Sequence, residues 1–342
     1  MAGVTYKCPN CGAYLVFDPE SQGWHCPFCD SSFEKSALSG QDAPEAAAQA
    51  EGGQVAYHCP SCGSEIMTDE TTVATHCYYC HSPVVLRGKL GDAHRPDGVL
   101  PFAIDREKAL SAFTQWVKGK RYVPRDFFNQ AQLEHLSGVY YPHYVVDCEL
   151  EGAVDGEGRN TSVFTSANYV VTKTEHYHVR REAQLRFRGI LRPALGKVNR
   201  KLSDAIHPFP LDGIKPFSDA YLSGFLAERR DVEQSSVEPD VQSEVERYVE
   251  PMLTQSIHYN SFHVQPSARV RHMDCRYVLL PTWVLTYPNR KDPKEPYYYA
   301  MNGCTGEVCG KLPIDRKKLG LTALGLAGAV FALGCLLCYF LL

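Results

Sequence analysis

Residues 6–29 read YKCPNCGAYLVFDPESQGWHCPFC, and residues 57–80 read YHCPSCGSEIMTDETTVATHCYYC. In the first, Cys8-x2-Cys11 and Cys26-x2-Cys29 stand fourteen residues apart; in the second, Cys59-x2-Cys62 and Cys77-x2-Cys80 repeat that spacing. An offset of 51 superimposes the two and also aligns Tyr6 with Tyr57, Pro9 with Pro60, Gly12 with Gly63 and His25 with His76. Two residues between thiols let a tight knuckle present both sulfurs to one tetrahedral ion, and a second knuckle completes an all-thiolate shell. Gly12 and Gly63 stand where the chain can turn through positive φ. Short β-prone runs follow at residues 13–17 and 71–74. The spacing predicts two zinc ribbons, residues 1–35 and 55–90, with one Zn2+ each. Neither half carries enough apolar side chains to fold alone, so the metal supplies folding energy. Iron or an iron–sulfur cluster is the alternative; a thioredoxin-like centre is disfavoured because neither pair opens the helix of a βαβ unit. Four thiols suffice, which leaves His25 and His76 as spectators.

No apolar h-region precedes these cysteines, so the expected compartment is reducing, where paired cysteines read as metal ligands rather than disulfides. Residues 1–90 hold four Lys/Arg against ten Asp/Glu, a balance of -6 within a chain of net -4. Tetrathiolate sites add further negative charge. The electrostatic term that dominates nucleic-acid affinity therefore has the wrong sign for the ribbons, where only Lys7, Lys35, Arg87 and Lys89 could neutralise phosphate. Residues 36–54, SALSGQDAPEAAAQAEGGQ, contain no aromatic and no β-branched side chain. Such a composition predicts a flexible tether and ribbons that move independently.

At the other end, residues 319–342 run 24 residues without a charge. A helix of that length spans about 36 Å, enough for the roughly 30 Å hydrocarbon layer. Lys311, Arg316, Lys317 and Lys318 precede it, so the positive-inside rule places residues before 319 in the cytoplasm of a single-pass protein at the cytoplasmic membrane.

The 342 residues correspond to about two average domains. Within residues 100–120, Asp105 as N-cap, Leu110, Phe113 and Val117 on one face and Gly119 at the end predict an amphipathic helix. Residues 121–315 read as a β-rich α+β domain, with strands at 139–146 and 168–179 and a helix from 242 to 256. Tyr141-Pro142-His143-Tyr144-Val145-Val146 echoes Leu280-Pro281-Thr282-Trp283-Val284-Leu285, which predicts two halves of one antiparallel domain, each proline at an edge or strand start. Residues 297–310 predict a hairpin turning at Asn302-Gly303 with φ > 0. Cys304 and Cys309 within it read as buried thiols, with a third metal site or a redox site as the alternative. Residues 173–201 carry nine Lys/Arg against Glu175 and Glu182, whereas residues 226–250 carry eight acids against three bases. The basic run suits a solvated strand pair, anionic lipid or nucleic acid.

No catalytic residue is expected. The sequence contains no GxxxxGK[ST], HExxH or GxSxG, and the protein reads as a non-enzyme. His176 and His178, two apart on one strand face, would need a third ligand to take a metal.

The CPNCG and CPSCG ribbons, Pro101-Phe102-Ala103-Ile104 before a helix with Trp116, SGVYYPHYVVD at 137–147, KPFSDAYLSGFLAE at 215–228, and LLPTWVLTY at 279–287 with YYYAMNGCTGEVCGKLP at 297–313 carry a family resemblance. Together they resemble bacterial membrane-anchored tandem zinc-ribbon proteins, many labelled transcription-factor-type or replication-restart helicase-like. The resemblance covers most of the chain and implies adaptors that work with flotillin-like (SPFH) and phage-shock-type proteins at the cytoplasmic membrane. The missing Walker motif argues against helicase action. Cys304 and Cys309 depart from the terminal NG-x-TG-x-V-x-G pattern and open a specialised role. The expectation is a membrane-tethered zinc-ribbon adaptor for cytosolic or membrane-associated proteins; the alternative is a nucleic-acid-binding regulator using residues 173–201.

Overall fold

The computed structural model of the chain describes residues 4–38, 54–86, 89–90, 94–124, 133, 135–166, 169–198, 200–287 and 297–341. The first four-cysteine module holds β1 (Val16–Asp18), β2 (Gly23–His25) and β3 (Ser32–Phe33) in one antiparallel sheet, followed by a 3-10 turn at Lys35–Leu38. The second pairs β4 (Gln54–His58) with β5 (Glu65–Asp69), and β6 (Thr72–His76) with β7 (Pro83–Val85). The body continues with β8 (Gly98–Val99), α1 (Arg106–Lys118), β9 (Ser137–Ser166), β10 (Tyr169–Pro193), α2 (Arg200–Asp204), β11 (Lys215–Pro216) and β12 (Leu226–Glu228). It closes with α3 (Gln234–Arg247), α4 (Val249–Thr254), β13 (Ser261–Tyr287), β14 (Tyr297–Asn302), β15 (Val308–Lys311) and the C-terminal α5 (Arg316–Leu341).

One ten-stranded sheet organises these elements. Its central path is β11-β8-β13-β9-β12-β6-β7, with β10 added to β9, and β14 then β15 added to β13. The order short strand, helix, long strand, return strand occurs twice, as β8-α1-β9-β10 and as β12-α3-β13-β14. Each short strand runs parallel to the long strand of the other half, β8 on β13 and β12 on β9. The long strands pair with each other.

The two prolines of the echo are not at edges or strand starts, as the sequence reading expected; both lie inside the central pair. Pro142 sits where β9 changes neighbour, from β12 at Val139 and Tyr140 to β10 from His143 onward. Pro281 sits where β13 changes from β8 to β14. Their carbonyls accept from Ala194 N and Gly303 N, both at 2.9 Å. Since a strand residue's N–H and C=O point to the same side, each missing donor faces the junction and no regular ladder bond is lost.

Helix α1 begins where Asp105 Oδ1 accepts from Lys108 N at 2.7 Å and ends at Gly119. Ala109, Phe113 and Val117 form its buried stripe, and Leu110 is half-buried. The acidic helix starts at Gln234 rather than Gln242 and contains Pro239. Burial of Val237, Val241 and Val245 outweighs the lost donor.

The expected independence of the cysteine modules is corrected by their packing. Trp24, 1% exposed, donates from Nε1 to Ala220 O at 2.9 Å; Phe17 N donates to Ser223 O at 2.9 Å; Ser223 Oγ donates to Leu15 O at 2.6 Å. Phe17 also meets the Tyr221 ring edge-on, with centroids 5.3 Å apart. The second module is part of the main sheet through β6 and β12, and Val4 and Val85 exchange both backbone hydrogen bonds to join the modules. Of the tether expected at residues 36–54, residues 39–53 lie outside the described residues, while Lys35–Leu38 form a 3-10 turn and Gln54 opens β4. Leu38 at its near end is buried.

In the terminal hairpin the positive φ belongs to Gly306, not Gly303. Gly303 is needed for space instead: a Cβ there would lie 2.6 Å from Phe102 Cδ1 and 2.9 Å from Pro281 Cβ.

Candidate metal centres

The knuckles follow from local hydrogen bonding. Gly12 N donates to Cys8 O at 2.9 Å and Gly63 N to Cys59 O at 2.8 Å, each glycine at φ 76°. The second knuckle of each module is closed by Asp30 N to Cys26 O and His81 N to Cys77 O, both 2.9 Å, with φ of 59° and 58°. Asp30 and His81 are themselves related by the 51-residue offset, and their type alone did not signal this role.

Each knuckle buries its first cysteine: Cys8, Cys26, Cys59 and Cys77 lie inside, while Cys11 and Cys62 are exposed. Sulfur separations are 3.5 Å for Cys8–Cys29, 3.6 Å for Cys11–Cys26, 3.6 Å for Cys59–Cys80 and 3.7 Å for Cys62–Cys77. All four sulfurs of each set lie within 4.8 Å of one another. A tetrahedron with Zn–S of about 2.3 Å has sulfur edges of about 3.8 Å, whereas a disulfide needs about 2.05 Å. The two groups therefore match a four-coordinate ion and contain no bridge.

The thiols respond unequally. Ser31 beside Cys29 and Ser64 beside Cys62 hold those two down to about 6. Burial pushes Cys59 up to about 12. Crowded thiols that cannot all ionise together call for a cation to gather four thiolates. Neither four-sulfur group includes a histidine; His25 Nε2 instead lies 3.5 Å from Asp30 Oδ1.

Lys89, expected as one of four phosphate-neutralising groups, is buried. Its Nζ donates to Thr68 Oγ1 at 3.0 Å and to Asp69 O, and burial lowers its pKa to about 8.

The basic run 173–201 and the acidic run 226–250 are partly spent on each other. Glu244 takes both Arg192 and Arg200, and Glu228 takes Lys197. Lys173 pairs with Glu175, Arg180 with Glu182 and Arg186 with Glu149.

One buried pair escaped the sequence reading. His143 Nε2 lies 2.8 Å from Ser203 Oγ, and Nδ1 lies 3.1 Å from Tyr141 O. Because a carbonyl only accepts, Nδ1 carries the proton and Nε2 accepts from the serine. Both side chains are 3% exposed, which shuts this serine–histidine pair away from any substrate. Their register was invisible without the link between α2 and β9. Cys304 and Cys309 are partly buried, and burial raises them to about 12 and about 11.

Helix α5 is long and apolar enough to cross a membrane: an 18-residue window within Arg316–Leu337 reaches a mean hydropathy of 2.1, and none of that window is buried against the body. Its root is fixed: Asp315 N donates to Tyr122 O at 2.7 Å and Lys318 Nζ to Val123 O at 3.0 Å.

Over 330 residues the chain is 29% identical to an uncharacterized protein, YdjG, of Bacillus subtilis (strain 168), covering 96% of this chain and 95% of that one. No family model matches the sequence and no solved structure matches it.

Proposed function

We propose that the protein is a membrane-anchored adaptor in which two structural zinc ions stiffen the N-terminal modules. In this reading Cys8, Cys11, Cys26 and Cys29 hold one ion and Cys59, Cys62, Cys77 and Cys80 the other, and α5 tethers the body to the cytoplasmic membrane with residues before it in the cytoplasm. The observation that carries it is mechanical continuity. Module contacts run through Trp24 and Ser223 into the sheet, and the sheet continues to the root of α5 at Asp315. Zinc would neutralise the gathered thiolates and close the knuckles; it would have no open position for chemistry in a four-thiolate shell.

The partner class comes from the resemblance: flotillin-like or phage-shock-type proteins, held near the bilayer. An exposed arm supports the reading. Strand β9 has 30 residues, about 100 Å of extended chain, and past Gly158 its end runs on, paired with β10, outside the packed core. Near the tip Val163, Phe164, Tyr169 and Val170 are each at least half exposed, an apolar patch of the sort that marks interaction sites. The nucleic-acid alternative is less well supported, because the basic run is drawn into ion pairs within the chain. Purification from native membranes after mild cross-linking, with and without residues 162–172, tests the reading: a protein partner retained only by the intact arm supports it, and enrichment of nucleic acid in its place overturns it.

A further inference from the structure

Thirteen histidines occur in the chain, and the arm gathers three on one face. The register places His178 of β10 opposite Glu157 of β9, and Glu157 opposite His263 of β13. Paired residues in antiparallel strands project from the same side of the sheet, so imidazole, carboxylate and imidazole form one lateral row across three strands. His176 lies two residues before His178, and Asp155 two residues before Glu157, on the same side. His178 Nε2 lies 3.2 Å from Asp155 Oδ1.

This face is open. The side chains of His178, Asp155 and Glu157 are 68%, 59% and 67% exposed, and His263 and His176 are also exposed. The opposite face is covered by α3 and α4, with Val154, Val179 and Val264 buried. The row therefore contributes nothing to the core.

We propose that His178, Glu157 and His263 form a third metal site, for a divalent transition ion of the zinc class, with Asp155 orienting His178. Outer strands flanking one common neighbour lie two inter-strand spacings apart, about 10 Å. Two imidazoles leaning inward can meet an ion above the central carboxylate, at Zn–N and Zn–O distances of about 2.0–2.2 Å. His178 keeps Nε2 on Asp155 and offers Nδ1 to the ion, and Glu157 gives up a 3.5 Å contact with Arg159 Nη2. Two nitrogens and one carboxylate oxygen leave a fourth position open to water or to a partner's side chain. Its donors differ from the all-sulfur centres, so the two kinds of site separate by spectrum and by ligand chemistry. The ion would staple β10, β9 and β13 where the arm leaves the core.

The test uses the full chain in detergent, without a polyhistidine tag, after its cysteine centres are filled with Zn2+. Titration with Co2+ reads the histidine site by weak visible bands without thiolate charge transfer. One further equivalent is expected, with affinity falling at least tenfold in His178→Ala and in His263→Ala, while two equivalents of zinc and the melting temperature of the cysteine modules stay unchanged in both. Asp155→Asn should weaken Co2+ less than either histidine change. No further equivalent in the wild type, or an equivalent that both histidine variants retain, overturns the site. Retention of two zinc ions in those variants separates its failure from any failure of the cysteine centres.

Discussion

Tyr141 of β9 lies directly opposite Leu280 of β13. The 139-residue shift that carries Tyr141 onto Leu280 also carries Pro142 onto Pro281, and it turns the pair Pro142–Leu279 into the pair Tyr140–Pro281, which the register contains. A pseudo-twofold axis therefore passes between Tyr141 and Leu280. Each half lends its short parallel strand to the other, so neither half completes its sheet alone. Phe102 follows β8, Phe225 precedes β12, and their rings stack at 4.3 Å and 7° beside the axis.

Crowding at this centre makes Gly303 intolerant of a side chain. Gly303→Ala sets a methyl against Phe102 and Pro281, and overpacking of this kind costs about 1–3 kcal/mol. Denaturant unfolding should show that loss, while Gly320→Ala on exposed α5, with nothing within 4 Å of its Cβ position, changes the unfolding midpoint of the body negligibly.

The cysteine spacing, the cap of α1 and the uncharged C-terminal stretch were legible because each is a local pattern. Docking of the modules was not: Trp24 finds its acceptor at Ala220, and Ala74 finds its strand partner at Ala227, across some 150 residues or more that periodicity does not register. The composition of residues 36–54 carries no information about what the segments at either end of it pack against. Likewise the prolines matched the known dislike of sheets for Pro, but a junction between two neighbours meets that requirement as well as an edge does. The row His178, Glu157 and His263 needed the register of two strand pairs, so only His176 and His178 drew notice in the sequence.

Docking through Trp24 can be weighed directly. Trp24→Ala removes a buried indole and its hydrogen bond, a change worth about 3–5 kcal/mol in a well-packed core. Hydrogen exchange should quicken in β1, β2 and Ser223, and remain slow in β9 and β13. Uniform acceleration through the sheet would mean that the first module and the body unfold as one unit.

The buried His143 ring gives a pH signature. Burial holds its pKa at about 4, against about 6.5 in an unfolded chain. The unfolded state alone binds the proton between those values, so the contribution to stability is complete above about pH 6.5 and is lost as pH falls towards 4. The expected loss is about 3 kcal/mol. His143→Gln should flatten that part of the curve, and NMR titration should find the His143 ring neutral at pH 5.5.

For the cysteine centres, elemental analysis of protein purified without added metal is expected to find two zinc ions per chain. Cys26→Ser should lose one of them and destabilise the first module, and Cys77→Ser the other. A content near zero with all eight thiols reduced and intact would reject zinc as their occupant.

The most direct measurement of the adaptor account follows where a partner goes. Cross-linking identifies a protein held by the full chain in native membranes; cells then express either that chain or one ending at Asp315, and the partner is quantified in membrane and soluble fractions. The account predicts that the partner sediments with membranes alongside the full chain and moves to the soluble fraction, still bound, with the truncated one. A partner that stays on the membrane regardless of α5, or a truncated chain that still sediments after a high-salt wash, would contradict it.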